Sequence, residues 1–374
     1  MKTDVAGLHC KGRPLSCRGI AAAEQRGGRD TPVLSSTPQS WTSARRKPEL
    51  DSLGDMEMMM NNSLANSIKN RARGCLLGQF IGDSLGSRVE FLPAQTIAKL
   101  YPNGVRNMAN GGTWNLIAGQ PTDDSQMAMM LIRALENADT FDPSVAFANY
   151  QHWLSTAPFD IGLTCRTGLA GKPNAQSQSN GALMRVSPLG VFGARDTISL
   201  EQAMEFARQD AELTHPNPIC VDANAVFVAG IVTAIETGNT TRVLSAMLSS
   251  AQTEEVYSAI IAGTQGKVGR YSGHIGWVLL ALSIAVESLL ITDSGEEALV
   301  HAINYGGDTD TNAAITGALT GAVYGADSWP RKWVKTVLEC RPSAGNPEVV
   351  HPLRPEFWAT ELLNQSDRLV GLAA

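Results

Sequence analysis

Two short runs of oxygen-bearing side chains lie far apart in this chain: Thr122-Asp123-Asp124-Ser125, and Gly306-Gly307-Asp308-Thr309-Asp310-Thr311-Asn312 near its end. Together they offer four carboxylates with threonine hydroxyls beside them, enough to surround a pair of hard divalent cations with oxygen. The plainer reading is helix capping, because each run directly precedes an apolar helical pattern and a capping side chain satisfies orphan backbone amides. Capping needs one oxygen, however, and four acids brought together without cations would repel one another. A donor set made only of oxygen suits Mg²⁺ or Mn²⁺ and not a Cys/His zinc centre. The six histidines are scattered and form no metal-binding pair.

The elements that must position these residues read as helices. From about Leu64 onward apolar residues recur at helical spacing, with Gly, Pro or Asn between the segments. The spacing predicts helices over 64–85, 124–138, 143–155, 161–171, 199–213, 219–237, 240–251, 273–291, 295–304, 309–324 and 329–340. No alternating β-branched run is long enough for a sheet. The expected fold is all-α, with one domain from 61 to 374. Thirty-five glycines against 6% aromatics point to a core of small and aliphatic side chains in which helix backbones approach closely.

Residues 1–60 are rich in Ser, Thr, Arg, Gly and Pro and have no sustained apolar period, so they are expected to be disordered or to serve as a partner-binding arm. Asp4, Glu24 and Asp30 interrupt what would otherwise look like an organelle transit peptide. The cluster Met56-Glu57-Met58-Met59-Met60 offers an alternative start of translation. The first 50 residues carry +5 and the remainder −11, and an acidic body argues against general nucleic-acid binding. Cys10, Cys17, Cys75, Cys165, Cys220 and Cys340 show no paired spacing and read as reduced thiols of a cytoplasmic protein. The apolar stretch Ile275 to Ile291 contains Ser283, Glu287 and Ser288, which makes it a buried helix rather than a membrane span. No signal-peptide pattern opens the chain.

Several motifs, in order, carry a family resemblance. Gly74-Cys75-Leu76-Leu77-Gly78 is followed by Gly82-Asp83-Ser84-Leu85-Gly86 with Glu90-Phe91. The two acidic runs flank Ser179-Asn180-Gly181-Ala182-Leu183-Met184-Arg185. The set resembles the ADP-ribosylglycohydrolase family over about residues 65 to 325. The resemblance implies a compact orthogonal helical bundle around a central binuclear Mg²⁺ or Mn²⁺ centre, cleaving ADP-ribose from a modified protein side chain. It implies Thr122, Asp123, Asp124, Asp308, Asp310 and Thr311 as ligands. All six positions are intact, unlike in a degenerate, non-catalytic relative.

Phe159-Asp160-Ile161-Gly162-Leu163-Thr164-Cys165-Arg166 resembles the segment of the bacterial branch that acts on ADP-ribosylarginine, and implies Asp160 as the acid/base, with Glu90 near the distal ribose as a second candidate. Asn180 and Gly181 would lie beside the ribose or phosphates. Trp277, where Tyr is common, would stack on the nucleotide, and His215 echoes a further family position. Rival readings of each residue are an N-cap for Asp160, a surface acid for Glu90, and ordinary structural roles for Trp277 and His215. The alternatives for function are a serine-linked or O-acetyl-ADP-ribose hydrolase of the same fold, and an immunity protein that blocks an ADP-ribosyltransferase toxin through residues 1–60.

Overall fold

The computed structural model describes residues 53–271 and 274–372; the side chains of 53–58, 270 and 271 are outside the description. Residues 1–52, with Cys10, Cys17 and most of the expected N-terminal extension, also lie outside it. The first helix already runs at Leu53, so the boundary expected at 61 falls inside a continuous helix.

Fifteen α-helices and five 3₁₀ turns make up the described residues, with no strand, in line with the expected all-α class. The first seven helices are α1 (Leu53–Gly86), α2 (Ala94–Leu100), α3 (Asp123–Leu135), α4 (Pro143–Ser155), α5 (Leu163–Leu169), α6 (Ser187–Gly193) and α7 (Leu200–Glu212). There follow α8 (Pro218–Thr237), α9 (Thr240–Ser250), α10 (Glu254–Thr264) and α11 (Val278–Ile291). The last four are α12 (Gly295–Asn304), α13 (Thr309–Tyr324), α14 (Arg331–Glu339) and α15 (Leu362–Leu369). Isolated antiparallel bridges join Pro93 to Gly306, Gly111 to Leu116 and Ser179 to Trp277.

The pair α1 and α13 forms the axis of the fold. Gly74, Gly78, Gly82 and Gly86 recur every four residues on one face of α1 and meet Gly321, Gly317, Ala313 and Thr309 of α13 in antiparallel order. A Cβ built at Gly78 would overlap the Gly317 carbonyl, and one at Gly82 the Ala313 carbonyl. Only glycine lets two helices run this close. The indole of Trp329 donates to the Gly74 carbonyl at 3.0 Å and closes one edge of the seam. This pairing joins the end of α1, which leads to Glu90, to the start of α13, which follows Asp308.

Around the axis, α8 and α11 supply apolar walls that are nearly all buried. Helix α8 is long and apolar enough to cross a membrane by composition, yet most of it is buried in the core. Four helices, α2, α6, α10 and α15, were not expected from periodicity. Cys75, Cys165, Cys220 and Cys340 are free and buried.

Candidate active site

The start of α3 shows why the first acidic run is not a cap. Thr122 occupies the N-cap position, yet its side chain makes no capping bond. The work is done by Asp83, fully buried on α1. Its carboxylate accepts from the Thr122 amide at 3.1 Å, the Thr122 hydroxyl at 2.8 Å and the Ser125 amide at 3.1 Å. Asp123 and Asp124 are thereby released from capping. At the other run, Asp308 is the N-cap residue of α13 and likewise makes no side-chain cap. Gly306 and Gly307 both take positive φ, 71° and 75°. That backbone lets the Gly307 carbonyl accept from the Phe91 amide at 2.7 Å while its own amide donates to Leu92 O at 3.0 Å, locking the Glu90 segment onto the second run.

The two runs converge. A cavity of about 350 Å³ is lined by Glu90, Asp123, Asp160, Asn180, Gly181, Asp308, Asp310 and Thr311, with Phe91, Leu163 and Ile275 also on its wall. Asp123 lies within hydrogen-bonding reach of Asp160, Glu90 of Asp310, and Asp308 of both Asp310 and Thr311. Asp124 and Thr122 lie just behind this surface: the Thr122 hydroxyl is 3.0 Å from Asp124 Oδ2, and Asp124 reaches Thr311. The six expected ligands and both expected proton-transfer groups therefore share one region. Glu90, Asp308 and Asp310 place carboxylate oxygens within 4.8 Å of one another, so Glu90 belongs geometrically to the donor set as well.

The electrostatics follow from this crowding. None of Asp83, Glu90, Asp123, Asp124, Asp160, Asp308 and Asp310 takes part in an ion pair among the described residues. Burial pushes Asp83 up to about 6, and Glu90 up to about 7 against the opposing Trp114 hydrogen bond. Burial, then the Glu90 charge, pushes Asp160 up to about 8. Asp160 keeps part of its surface open to the cavity while protein surrounds the rest. Asp123, Asp124 and Asp310 are raised well above the usual carboxylate range, first by burial and then by neighbouring carboxylates. Burial also raises Asp308, against hydrogen bonds led by Asn180. One buried oxygen, Asp124 Oδ1, has no hydrogen-bond partner. An unpaired carboxylate oxygen among mutually repelling acids is the environment that hard divalent cations relieve.

The opposite wall is the loop through Asn180 and Gly181. Asn180 Nδ2 donates to Asp308 Oδ2 at 2.7 Å, and its amide donates to Gly276 O at 3.0 Å. His215 does not reach the cavity. It is fully buried behind the loop, 2.9 Å from Ser179 Oγ and 2.8 Å from Thr214 Oγ1, and burial lowers it to about 3, so it is a neutral prop. Trp277 is also absent from the cavity wall, where Ile275 and Gly276 stand in its place; its indole donates to Gln178 Oε1 at 2.9 Å.

Three supports escaped sequence reasoning. Asp83 stood in a recognised motif without a role, although an acid inside an apolar helix was a usable sign. Arg185, fully buried, pairs with Asp210 at 3.1 Å, lies over the Tyr150 ring at 4.5 Å and donates to Gly181 O at 3.1 Å, anchoring the loop. Gln79 donates to the carbonyls of Asp124 and Met184 at 3.2 and 2.9 Å, tying the two walls together.

Comparison with known proteins agrees with this geometry. The family described as ADP-ribosylglycohydrolase matches residues 64–368. The chain is 29% identical to an ADP-ribosyl-(dinitrogen reductase) glycohydrolase of Rhodospirillum rubrum, over 72% of this chain and 90% of that one. It is 26% identical to the ADP-ribosylarginine hydrolase Tri1 of Serratia proteamaculans, over 87% and 89%. Similarity also extends to the human ADP-ribosylhydrolase ARH3, at 25% identity over 71% and 88%. A solved structure titled ADP-ribosylglycohydrolase-related protein complex superposes with a TM-score of 0.66 at 25% identity, covering 83% of this chain and all of that one. With its helical fold, its converging acids and a family match over most of its length, this chain belongs to the ADP-ribosylglycohydrolase family.

Proposed function

We propose that this protein removes ADP-ribose from modified arginine side chains, using a pair of divalent cations, Mg²⁺ or Mn²⁺. The convergence of Asp123, Asp308 and Asp310 on one cavity, with Asp124 just behind them carrying an unpaired buried oxygen, is the observation that supports it. Thr122, Asp123, Asp124, Asp308, Asp310 and Thr311 are the residues that would hold the cations, and Glu90 adds a further oxygen. Such cations supply charge stabilisation for an oxocarbenium-like transition state and lower the pKa of water. Asn180, braced on Asp308, and the loop at Gly181 would orient the ribose and phosphates. Asp160, whose carboxyl burial and the neighbouring Glu90 push upward, would give a proton to the leaving guanidine nitrogen, with Glu90 as the alternative group.

The arginine linkage is favoured by the Asp160 segment and by likeness to a relative named for ADP-ribosylarginine. Serine-linked and O-acetyl-ADP-ribose substrates, the alternatives that the family resemblance leaves open, form the comparison set. One assay decides: release of ADP-ribose from arginine- and serine-linked proteins and from O-acetyl-ADP-ribose, with Mn²⁺, Mg²⁺ or EDTA. Metal-dependent release from arginine alone is expected; release from serine alone, or full activity in EDTA, rejects the reading. The partner is accordingly an ADP-ribosylated protein. Protection of cells from an arginine-specific ADP-ribosyltransferase toxin would follow from hydrolysis, and should persist when residues 1–52 are removed. The buried free thiols suit the reducing cytoplasm.

A further inference from the structure

Glu90 and Asp160 sit on different elements, yet one aromatic chain connects them. Residues 111–116 form a tight turn, closed by Gly111 N to Leu116 O at 2.8 Å and Leu116 N to Gly111 O at 3.0 Å. The turn is pressed onto the start of the Glu90 segment: a Cβ at Gly112 would meet the Arg88 backbone at 2.8 Å. At its tip, Thr113 Oγ1 donates to the Glu90 carbonyl at 2.7 Å, and Trp114 Nε1 donates to Glu90 Oε2 at 2.6 Å. The same indole meets Phe159 at 5.8 Å between ring centroids and 60° between planes. Phe159 directly precedes Asp160, and its ring stacks on His351 at 4.5 Å between centroids.

We infer that Trp114 is a positioning residue, a rigid spacer that fixes the Glu90 carboxylate with its N–H and the Asp160 loop with its ring, and that Phe159 and His351 back the spacer from the far side. The inference rests on the proposed hydrolysis for its kinetic consequence, but its structural content stands alone. A charge-assisted hydrogen bond and an aromatic pair both bear on groups that must keep a fixed separation during proton transfer. No other side-chain hydrogen bond to the Glu90 carboxylate from a residue outside the acidic cluster occurs among the described residues.

The test uses the full chain. Trp114→Phe deletes the N–H and keeps a ring; Phe159→Leu deletes the aromatic contact and keeps the bulk. Trp114→Phe should lower kcat by about 10-fold or more and leave KM within about 2-fold, since the substrate-binding wall is untouched. Its Tm should stay close to that of the native protein, whereas a merely structural role would move Tm; its Mn²⁺ affinity, measured by calorimetry, should fall by less than kcat does, because Glu90 is one oxygen donor beside the six other candidate ligands. A crystal structure of Trp114→Phe should show the Glu90 carboxylate displaced from its present place, and one of Phe159→Leu the Asp160 loop shifted. An unmoved Glu90 overturns the inference whatever the activity. So does a kcat within about 2-fold of native, or a kcat loss matched by loss of Mn²⁺ affinity. A native protein inactive on all three linkages would reject the proposed function instead, and the crystallographic comparison would still decide the positioning role.

Discussion

Asp83 and Asp124 carry the same functional group to opposite ends. Asp83 is saturated by two amides and a hydroxyl and holds α3 in place, while Asp124 keeps an oxygen with no protein partner. Asp83→Asn should therefore cost stability, about 1–3 kcal/mol by urea unfolding, because it removes the charge from a buried cap. Asp124→Asn should leave the fold of the EDTA-treated protein unchanged or firmer, since it removes one of the mutually repelling carboxylates, while Mn²⁺ affinity falls at least about 10-fold. Equal effects of the two changes on unfolding would contradict this division. His215 gives a pH test. Unfolded, it takes up a proton near its ordinary value of 6.5; folded, it does so only near 3. The folded state thus holds its full stability above 6.5 and loses it as pH falls toward 3, by about 1.4 kcal/mol per pH unit from this residue. Urea unfolding of native and His215→Gln protein across that window should differ by that slope. The acids were legible in the sequence because clustered oxygen donors have few uses; the props were not, because a lone Arg, Gln or Trp announces no contact until the chain is folded.

Helix identity was legible wherever an apolar period ran between clear breakers. The segments 143–155, 295–304 and 309–324 emerge with the expected ends, the last between the glycine pair and Gly325. Helix α11 starts at Val278, five residues later than expected, because Gly276 and Trp277 join the bridge to the Asn180 loop instead. Helix α6 escaped notice because Pro188, Gly190 and Gly193 break its pattern, although its Gly190 and Gly193 faces are filled by Ile231 and Ala203. The glycine row of α1 was visible as abundance but not as a ridge, since its partner lies in a helix far along the chain. Gly78→Ala should destabilise by about 3 kcal/mol by overpacking against the Gly317 carbonyl. Gly345→Ala, where a Cβ meets open space, should be near neutral. If both behave alike by thermal unfolding, the seam is looser than described.

At the scale of the molecule, the candidate cation site ties the end of α1 to the start of α13. Mn²⁺ at about 100 times its Kd should raise unfolding stability by about 3 kcal/mol, and EDTA should reverse the gain. Thermal melts with and without chelator measure it, and the Asp124→Asn protein should gain far less. The pairing of these two helices also has a consequence for biosynthesis. The Thr309 hydroxyl bonds to the Gly86 carbonyl across 223 positions of sequence. While a ribosome is still making the middle of the protein, the glycine face of α1 has nothing to rest against, and the core cannot close until the segment Thr309–Tyr324 has been made. A nascent chain stalled before Thr309 should thus remain open to protease and bound by chaperones, and one stalled well beyond Tyr324 should not.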